Sequence, residues 1–331
     1  MTRKKVLCEV AFWKSFSGCY PSSMPSLGEG AFENLKTWME LYMFMLRSDL
    51  DFDCSAQQFA RLSESDEGLR HLWKKSTGGE CGLEFSDGEF DPDALNSNLQ
   101  AVLLSGNDRH DDTKRLGIMN ITPDNYLKKG FLFREIGFPL QHSQEWDWSN
   151  LSKFVTKEMA NSLVIIDNYI LSTDGQFKQT NLEDNIFEIL SALLPDSCDV
   201  PFDLTVFYVE GSRANEERLR QYVRDIRPGL EVNFNIHQVA RSDFHDRTIV
   251  SNNYWISSPG GFDLMKRKWD RFQRINKYYA TKDTTVTVWF PSFCSGNVLS
   301  ADKSYENLIQ SAKHALAIRG LSPNNRLLEE Q

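Results

Sequence analysis

Two periods alternate along the C-terminal half of this chain, and that alternation constrains the fold more than any other feature. "NSLVIIDNYIL", residues 161–171, is a continuous apolar run rich in Val and Ile, the pattern of a strand buried on both faces. "NLEDNIFEILSALLP" then carries apolar residues at helical spacing from Ile186 through Leu190 to Leu194, with Asn181 at the N-cap position and Pro195 closing it. "FDLTVFYVEG" reads as a second strand, and "ANEERLRQYVRDIRPG" as an amphipathic helix stopped by Pro228 and Gly229. "LEVNFNIHQVA" alternates Leu230, Val232, Phe234 and Ile236, which predicts a third strand. This order predicts an α/β domain with a mostly parallel sheet, right-handed crossovers and flanking helices. "TIVSNNYWIS" follows as a hairpin turning at Asn252-Asn253, "TTVTVWFPSF" as a strand and "SYENLIQSAKHALAIRG" as a closing helix; residues 321–331 read as a flexible tail.

The N-terminal half predicts a smaller α/β domain over residues 1–150, ending at the polar stretch "LQHSQEWDWSN"; the second domain is expected over 151–320. "KVLCEVAFW" reads as one strand, "AFENLKTWMELYMFMLRS" as a helix, and "SAQQFARLSESDEGLRHLWKKS" as one or two helices capped by Ser55. "LQAVLLSG" and "RLGIMNI" read as short strands. "RSDLDFDC" reads as a solvated loop, and the glycine-rich "KKSTGGECG" as a flexible hairpin; its Gly-Lys-Ser order is not that of a phosphate-binding P-loop.

A chain of 331 residues at ordinary globular composition has length for two cores. No apolar run is long enough for a membrane span, so no membrane association is expected. The N-terminus lacks the apolar run of a signal peptide. Six scattered Cys with no CxxC pair fit neither a zinc site nor a disulfide framework, and predict a cytoplasmic protein. A net charge of −9 with a pI near 5.3 argues against a large phosphate-binding surface and leaves room for a small basic pocket.

The chemistry-bearing stretch is "FHDRTIVSNNYWISSPGG". His245 and Arg247 are two apart, four residues precede Asn252, and six more precede Pro259-Gly260-Gly261. This resembles the phospholipase D superfamily signature of His-x-Lys, four residues, Asp, six residues and Gly-Ser. "DNYI", Asp167–Ile170, is similar to the strand end that opens the domain in that family. The resemblance covers roughly residues 160–300. It implies a phosphodiesterase or nuclease with no metal or cofactor: His245 as nucleophile, Arg247 as phosphate clamp, Asn252 as orienting group. Asp167, Ser258, Gly260 and Gly261 are the expected substrate contacts, the glycines admitting backbone close to phosphate. Arg247 stands where the family has Lys, Asn252 where it has an acid, and Pro259-Gly260 where it has Gly-Ser. His71, His110, His142, His237 and His314 supply no second motif. The resemblance therefore implies a homodimer, or a larger complex, that brings two His245 together over a nucleic-acid or nucleotide phosphodiester.

Two other readings stand beside it. One is a non-catalytic member of the same fold, a sensor or assembly subunit of a multi-protein complex; eroded nuclease motifs of this kind occur in bacterial antiviral systems. The other places a metal nuclease in the N-terminal half, on Glu9 with Asp49, Asp51 and Asp53.

Overall fold

The computed structural model describes residues 5–18, 29–79, 81–86, 99, 101–106, 110–128, 135–155, 160–172, 182–244, 247–290 and 298–329. The chain divides into two compact units, one of Met1–Arg134 with Ser292–Leu299, the other of Glu135–Pro291 with Ser300–Gln331. No described helix is long and apolar enough to cross a membrane.

The first unit runs β1 (Lys5–Cys8), α1 (Val10–Gly18), α2 (Glu29–Met45), β2 (Asp49–Phe52), α3 (Ala56–Ser65), α4 (Glu67–Thr77), β3 (Gly82–Phe85), β4 (Ala101–Leu103), α5 (His110–Arg115) and β5 (Met119–Ile121). Its sheet has the order β3-β2-β1-β4-β5 with every pairing parallel. The expected single strand over Lys5–Trp13 ends at Cys8, and α1 begins at Val10. Phe12, Trp13 and Phe16 recur at helical spacing and are buried, so the helix covers more apolar surface than a continued strand could. Asp53 accepts the Val10 N–H at 2.6 Å and satisfies one of the orphan donors of that first turn. Phe16 stacks on Trp38 at 4.7 Å, and the Trp13 indole donates to Asp66, which also caps α4 through Leu69 N–H. Truncating a buried ring of this kind costs about 3–5 kcal/mol. Ser55 and Gln58 form a capping box at the start of α3, as the sequence predicts.

"RSDLDFDC" is not a solvated loop. Leu50 and Phe52 are buried in β2 while Asp49 and Asp51 point away, a two-residue period too short to stand out among the charges. "KKSTGGECG" is the end of α4, a turn at Gly79 with φ of 76°, and the start of β3; it is a helix-to-strand turn, not a hairpin.

The second unit holds β6 (Ile136–Leu140), a 3-10 turn (Trp148–Lys153), β7 (Ser162–Ile166), a π-helical turn (Leu182–Ile186), α6 (Phe187–Leu193), β8 (Phe202–Tyr208), α7 (Arg213–Ile226) and β9 (Val232–Gln238). It continues through β10 (Thr248–Ser251), β11 (Trp255–Ser257), β12 (Met265–Asp270), β13 (Ile275–Ala280), β14 (Thr284–Trp289) and α8 (Val298–Ala317). The main sheet has the order β6-β14-β11-β10-β7-β8-β9. Only β7, β8 and β9 pair in parallel; the other pairings are antiparallel, so the sheet is mixed and not mostly parallel. The reversal is local. The Ser251 hydroxyl accepts the N–H groups of Asn253 and Tyr254, closing the expected Asn252-Asn253 turn and folding β11 back on β10. On one face, Val164, Ile166, Phe207, Val250 and Trp255 pack with Tyr305, Ala312, Ala315 and Leu316 of α8.

Two boundaries differ from expectation. The second unit starts at Glu135, earlier than residue 150, because β6 pairs with β14 and Trp146 packs edge-on against Trp148 in its interior. Nor do the described residues of the expected flexible tail, 321–329, hang free. Asn325 donates to the carbonyls of Leu163 and Asp203 and to the Thr205 hydroxyl, Arg326 pairs with Asp203 at 2.8 Å, and Leu328 is buried. The expected N-cap Asn181 lies outside the described residues.

Asn325→Ala leaves those buried acceptors short of a donor and should cost about 1–3 kcal/mol in chemical denaturation. His237 on β9 is held below the usual histidine range, first by burial and then by Arg319 and Arg220. Its folded-state value lies below the unfolded one, so the unfolded chain binds the extra proton as pH falls. Stability is full above about pH 6.5, the unfolded histidine value, and declines below it. Denaturation of His237→Phe across pH 5–8 should show that decline reduced; an unchanged slope would assign it to other groups.

Candidate functional site

Arg247, Asp167 and Ser258 meet at the carboxyl end of β7, the position at which α/β sheets hold ligands. Thr248 pairs with Ile166 and with Ser257, so Arg247, Asp167 and Ser258 emerge together one step beyond the last ladder rung. Ser258 N–H donates to the Arg247 carbonyl at 3.2 Å. His245 and Asp246 lie outside the described residues.

Asp167 is buried, and both of its carboxylate oxygens are engaged. Oδ1 accepts the Tyr169 N–H and Oδ2 the Phe262 N–H, each at 2.8 Å. Burial pushes its carboxyl up, the two N–H groups and Arg247 draw it down, and Asp263 pushes it up further; the net direction is upward. The expected substrate contact is thus an inward tie between the end of β7 and the glycine turn. Ser258 is also turned inward: it is buried, its hydroxyl donates to the Gly261 carbonyl, and its carbonyl accepts the Gly261 N–H at 2.9 Å. Gly260 offers its carbonyl to Lys282, whose ammonium also pairs with Asp263 at 2.9 Å.

Gly261 does something other than admit phosphate to its backbone. Its φ is +84°, and a Cβ there would sit 2.8 Å from Arg247 Nη1 and 2.9 Å from Asp263 Oδ1. Its N–H and that of Phe262 are already bonded. The missing side chain makes room for Arg247 to lie across the turn. The Arg247 guanidinium is also 5.4 Å from the Tyr169 ring centre, and that of Arg241 is 5.9 Å from it. Among the described residues, none forms a salt bridge or side-chain hydrogen bond with Arg247. The result is a half-buried cation, seated by a glycine and an aromatic ring, with Arg241 near the same ring and Lys282 paired to Asp263. Such an arrangement suits an oxyanion with two or more acceptor oxygens.

Asn252 does not join this group. Its side chain accepts the Asn161 N–H at 3.1 Å, next to the Ser251–Leu163 rung at the opposite end of β7. All of β10 separates it from Arg247, roughly 16 Å at about 3.3 Å per residue. It fixes the far turn of the hairpin and cannot orient a group beside Arg247. Sequence reasoning passed over Lys282 and Asp263, whose meeting depends on chain return and leaves no local pattern. It also passed over Arg241, which carried no spacing signal.

The acids of the first unit are individually engaged. Glu9 accepts Ser105 N–H, Asp53 accepts Val10 N–H, Asp51 accepts the Ser86 hydroxyl and Asp49 accepts Gly82 N–H. Among the described residues, no three His, Cys, Asp or Glu side chains converge as a metal site would require.

Gly261→Ala combines strained backbone with a contact against Arg247, and should lower stability by about 1–3 kcal/mol. Gly229→Ala, with open space around the added methyl, should stay within about 0.5 kcal/mol. Equal denaturation midpoints for the two variants would refute the tight seating of Arg247. In comparisons with known proteins, the chain matches no protein-family model and no curated protein sequence.

Proposed function

We propose that the second unit is a phospholipase D-like phosphodiesterase that works at the carboxyl end of β7. One observation carries this reading: Arg247 is seated, without a carboxylate partner among the described residues, beside the glycine turn, and the sequence places His245 two residues before it. In the proposed reaction an imidazole nitrogen of His245 attacks phosphorus and the bond to the leaving oxygen breaks. Arg247 holds the non-bridging oxygens as their charge redistributes. The leaving oxygen takes a proton from the His245 of a second copy of the chain, since one chain carries a single motif. Water then cleaves the phosphorus–nitrogen bond and returns the histidine.

In this reading Asp167 is a positioning residue, tying strand to turn, and Asn252 has no part in the chemistry. The two described carboxylates beside Arg247 are both engaged, Asp167 with backbone and Asp263 with Lys282, so neither is spare to orient a histidine. This favours a second reading, a binding-only member of the same fold that recognises a phosphodiester without cleaving it, as a sensor or an assembly subunit in antiviral defence.

The two readings separate on hydrolysis of bis(p-nitrophenyl) phosphate. The phosphodiesterase reading expects turnover that His245→Ala abolishes and Arg247→Gln lowers by about a hundredfold or more, with thermal unfolding unchanged in the first variant. Turnover that survives His245→Ala, or none in the parent protein, would overturn it.

A further inference from the structure

Between the glycine turn and β14 the chain makes one excursion, the two-stranded ribbon of β12 and β13, paired from Met265–Ala280 at its base to Asp270–Ile275 near its tip. Both ends of the ribbon land on the candidate site. Thr281 N–H bonds the Leu264 carbonyl at 2.8 Å, and Lys282 pairs with Asp263. The base is held firmly: Asn185 bonds both the N–H and the carbonyl of Met265, Asp184 accepts Arg267 N–H at 3.0 Å, and the Tyr278 hydroxyl donates to Glu188 at 2.7 Å. The tip is also ordered. Asp270 accepts the N–H groups of Phe272 and Gln273, its carbonyl accepts Arg274 N–H, and Arg274 takes a positive φ of 55°.

This well-fixed ribbon displays an unusual surface. In a chain of net charge −9, its sixteen residues "MKRKWDRFQRINKYYA" contain six cations and a single acid, Asp270. Arg267 pairs with Glu183 and Asp184, and Lys277 with Asp270 and Glu145. Lys266, Lys268, Arg271 and Arg274 form no ion pair among the described residues. Phe272 is 99% exposed and Trp269 59% exposed. Side chains alternate along the strands, so Lys266 and Lys268 share a face with their cross-strand partners Tyr279 and Lys277. The Lys268 ammonium lies 4.8 Å from the Tyr279 ring centre. The opposite face, with Arg267, Trp269 and Tyr278, carries the bonds to Asp184 and Glu188, while Lys277 on the first face reaches Glu145. Lys266 and Lys268 therefore line one face, Phe272 stands bare in the turn with Arg271 and Arg274, and Trp269 is exposed on the other face one rung below the tip.

We propose that the β12–β13 ribbon binds single-stranded nucleic acid. Lys266, Lys268, Arg271 and Arg274 contact successive phosphates, Phe272 and Trp269 stack on unpaired bases on either side of the tip, and the strand is led down the Lys268–Lys266 face towards Arg247. Six residues at about 3.3 Å each give a path of roughly 20 Å, the span of three or so extended nucleotides. The rings favour a single strand over a duplex, because a stacked helix offers no base faces to them. They also disfavour a membrane: Phe272 shares its four-residue turn with Arg271, Gln273 and Arg274, which would have to leave water along with it. The inference goes beyond the phosphodiesterase reading and stands without it, since it needs no chemistry at His245.

The test is fluorescence anisotropy of a labelled oligothymidylate of about twenty nucleotides with the full-length protein, titrated against salt. Four phosphate contacts predict a log–log salt slope near −3, from about 0.7 per contact on a single strand. Phe272→Ala with Trp269→Ala should weaken binding roughly ten- to a hundredfold with unchanged thermal unfolding. Replacing the four cations by Gln should abolish both the binding and the salt dependence. No binding by the parent protein at low salt, affinities unchanged in both variants, duplex bound as tightly as single strand, or binding only to phosphatidylserine vesicles would each overturn the proposal. The two readings of this unit fail separately. Oligonucleotide binding without hydrolysis removes the catalytic reading alone, and hydrolysis of the small diester without oligonucleotide binding removes the ribbon's role alone.

Discussion

Asp167 accepts one N–H from Tyr169, two residues on, and another from Phe262, 95 residues on. Hydrogen bonds to a charged group contribute about 1.5–3 kcal/mol each, and here they offset part of the cost of burying the carboxylate, whose net shift stays upward. What depends on that tie is geometric. It fixes the end of β7 against the Pro259–Gly261 turn, and the turn in turn seats Arg247 in the space a Cβ would fill. From the same turn the chain leaves into β12 and returns to Lys282, so the base of the ribbon inherits its position from the same carboxylate. A candidate anion site and a cationic ribbon are thereby referred to one buried acid.

The first unit makes a contrasting use of acids. Glu9 and Asp53 stand at the carboxyl ends of β1 and β2, where an open parallel sheet ordinarily binds ligands. Each is bonded instead to the backbone of a neighbouring segment, Ser105 and Val10. Burial pushes the Asp53 carboxyl up, with Glu9 contributing and the Val10 N–H opposing. These carboxylates fasten loops onto a short-stranded sheet, and their spacing in the sequence says nothing of that.

Local signals read correctly where one residue decides the outcome. Ser55 caps α3 because its hydroxyl reaches Gln58 N–H three residues on, and Asn252-Asn253 turns because the Ser251 hydroxyl takes the N–H groups of Asn253 and Tyr254. Reading failed where a charge masked a period, as in β2, or where two elements shared one apolar run, as in β1 and α1. It failed again at the C-terminus: a lone Asn325 looks like tail, yet three acceptors from β7 and β8 converge on its amide. The ribbon is a different case. Lys, Arg and aromatic residues are interleaved from Lys266 to Tyr279, but an overall charge of −9 carries no trace of such a local cluster.

By itself the sequence determined the α/β class, the strand and helix order from β7 to β11 and the turn at Asn252-Asn253. Those follow from periods of two and 3.6 residues and from turn chemistry, which act over a few positions. Only the tertiary structure decided that Asn252 and Arg247 lie at opposite ends of β10, that Asp167 and Ser258 face inward, and that Lys282 returns to Asp263. An extended strand separates residues that a motif writes side by side, and a buried polar group must bond to whatever the packing brings within reach.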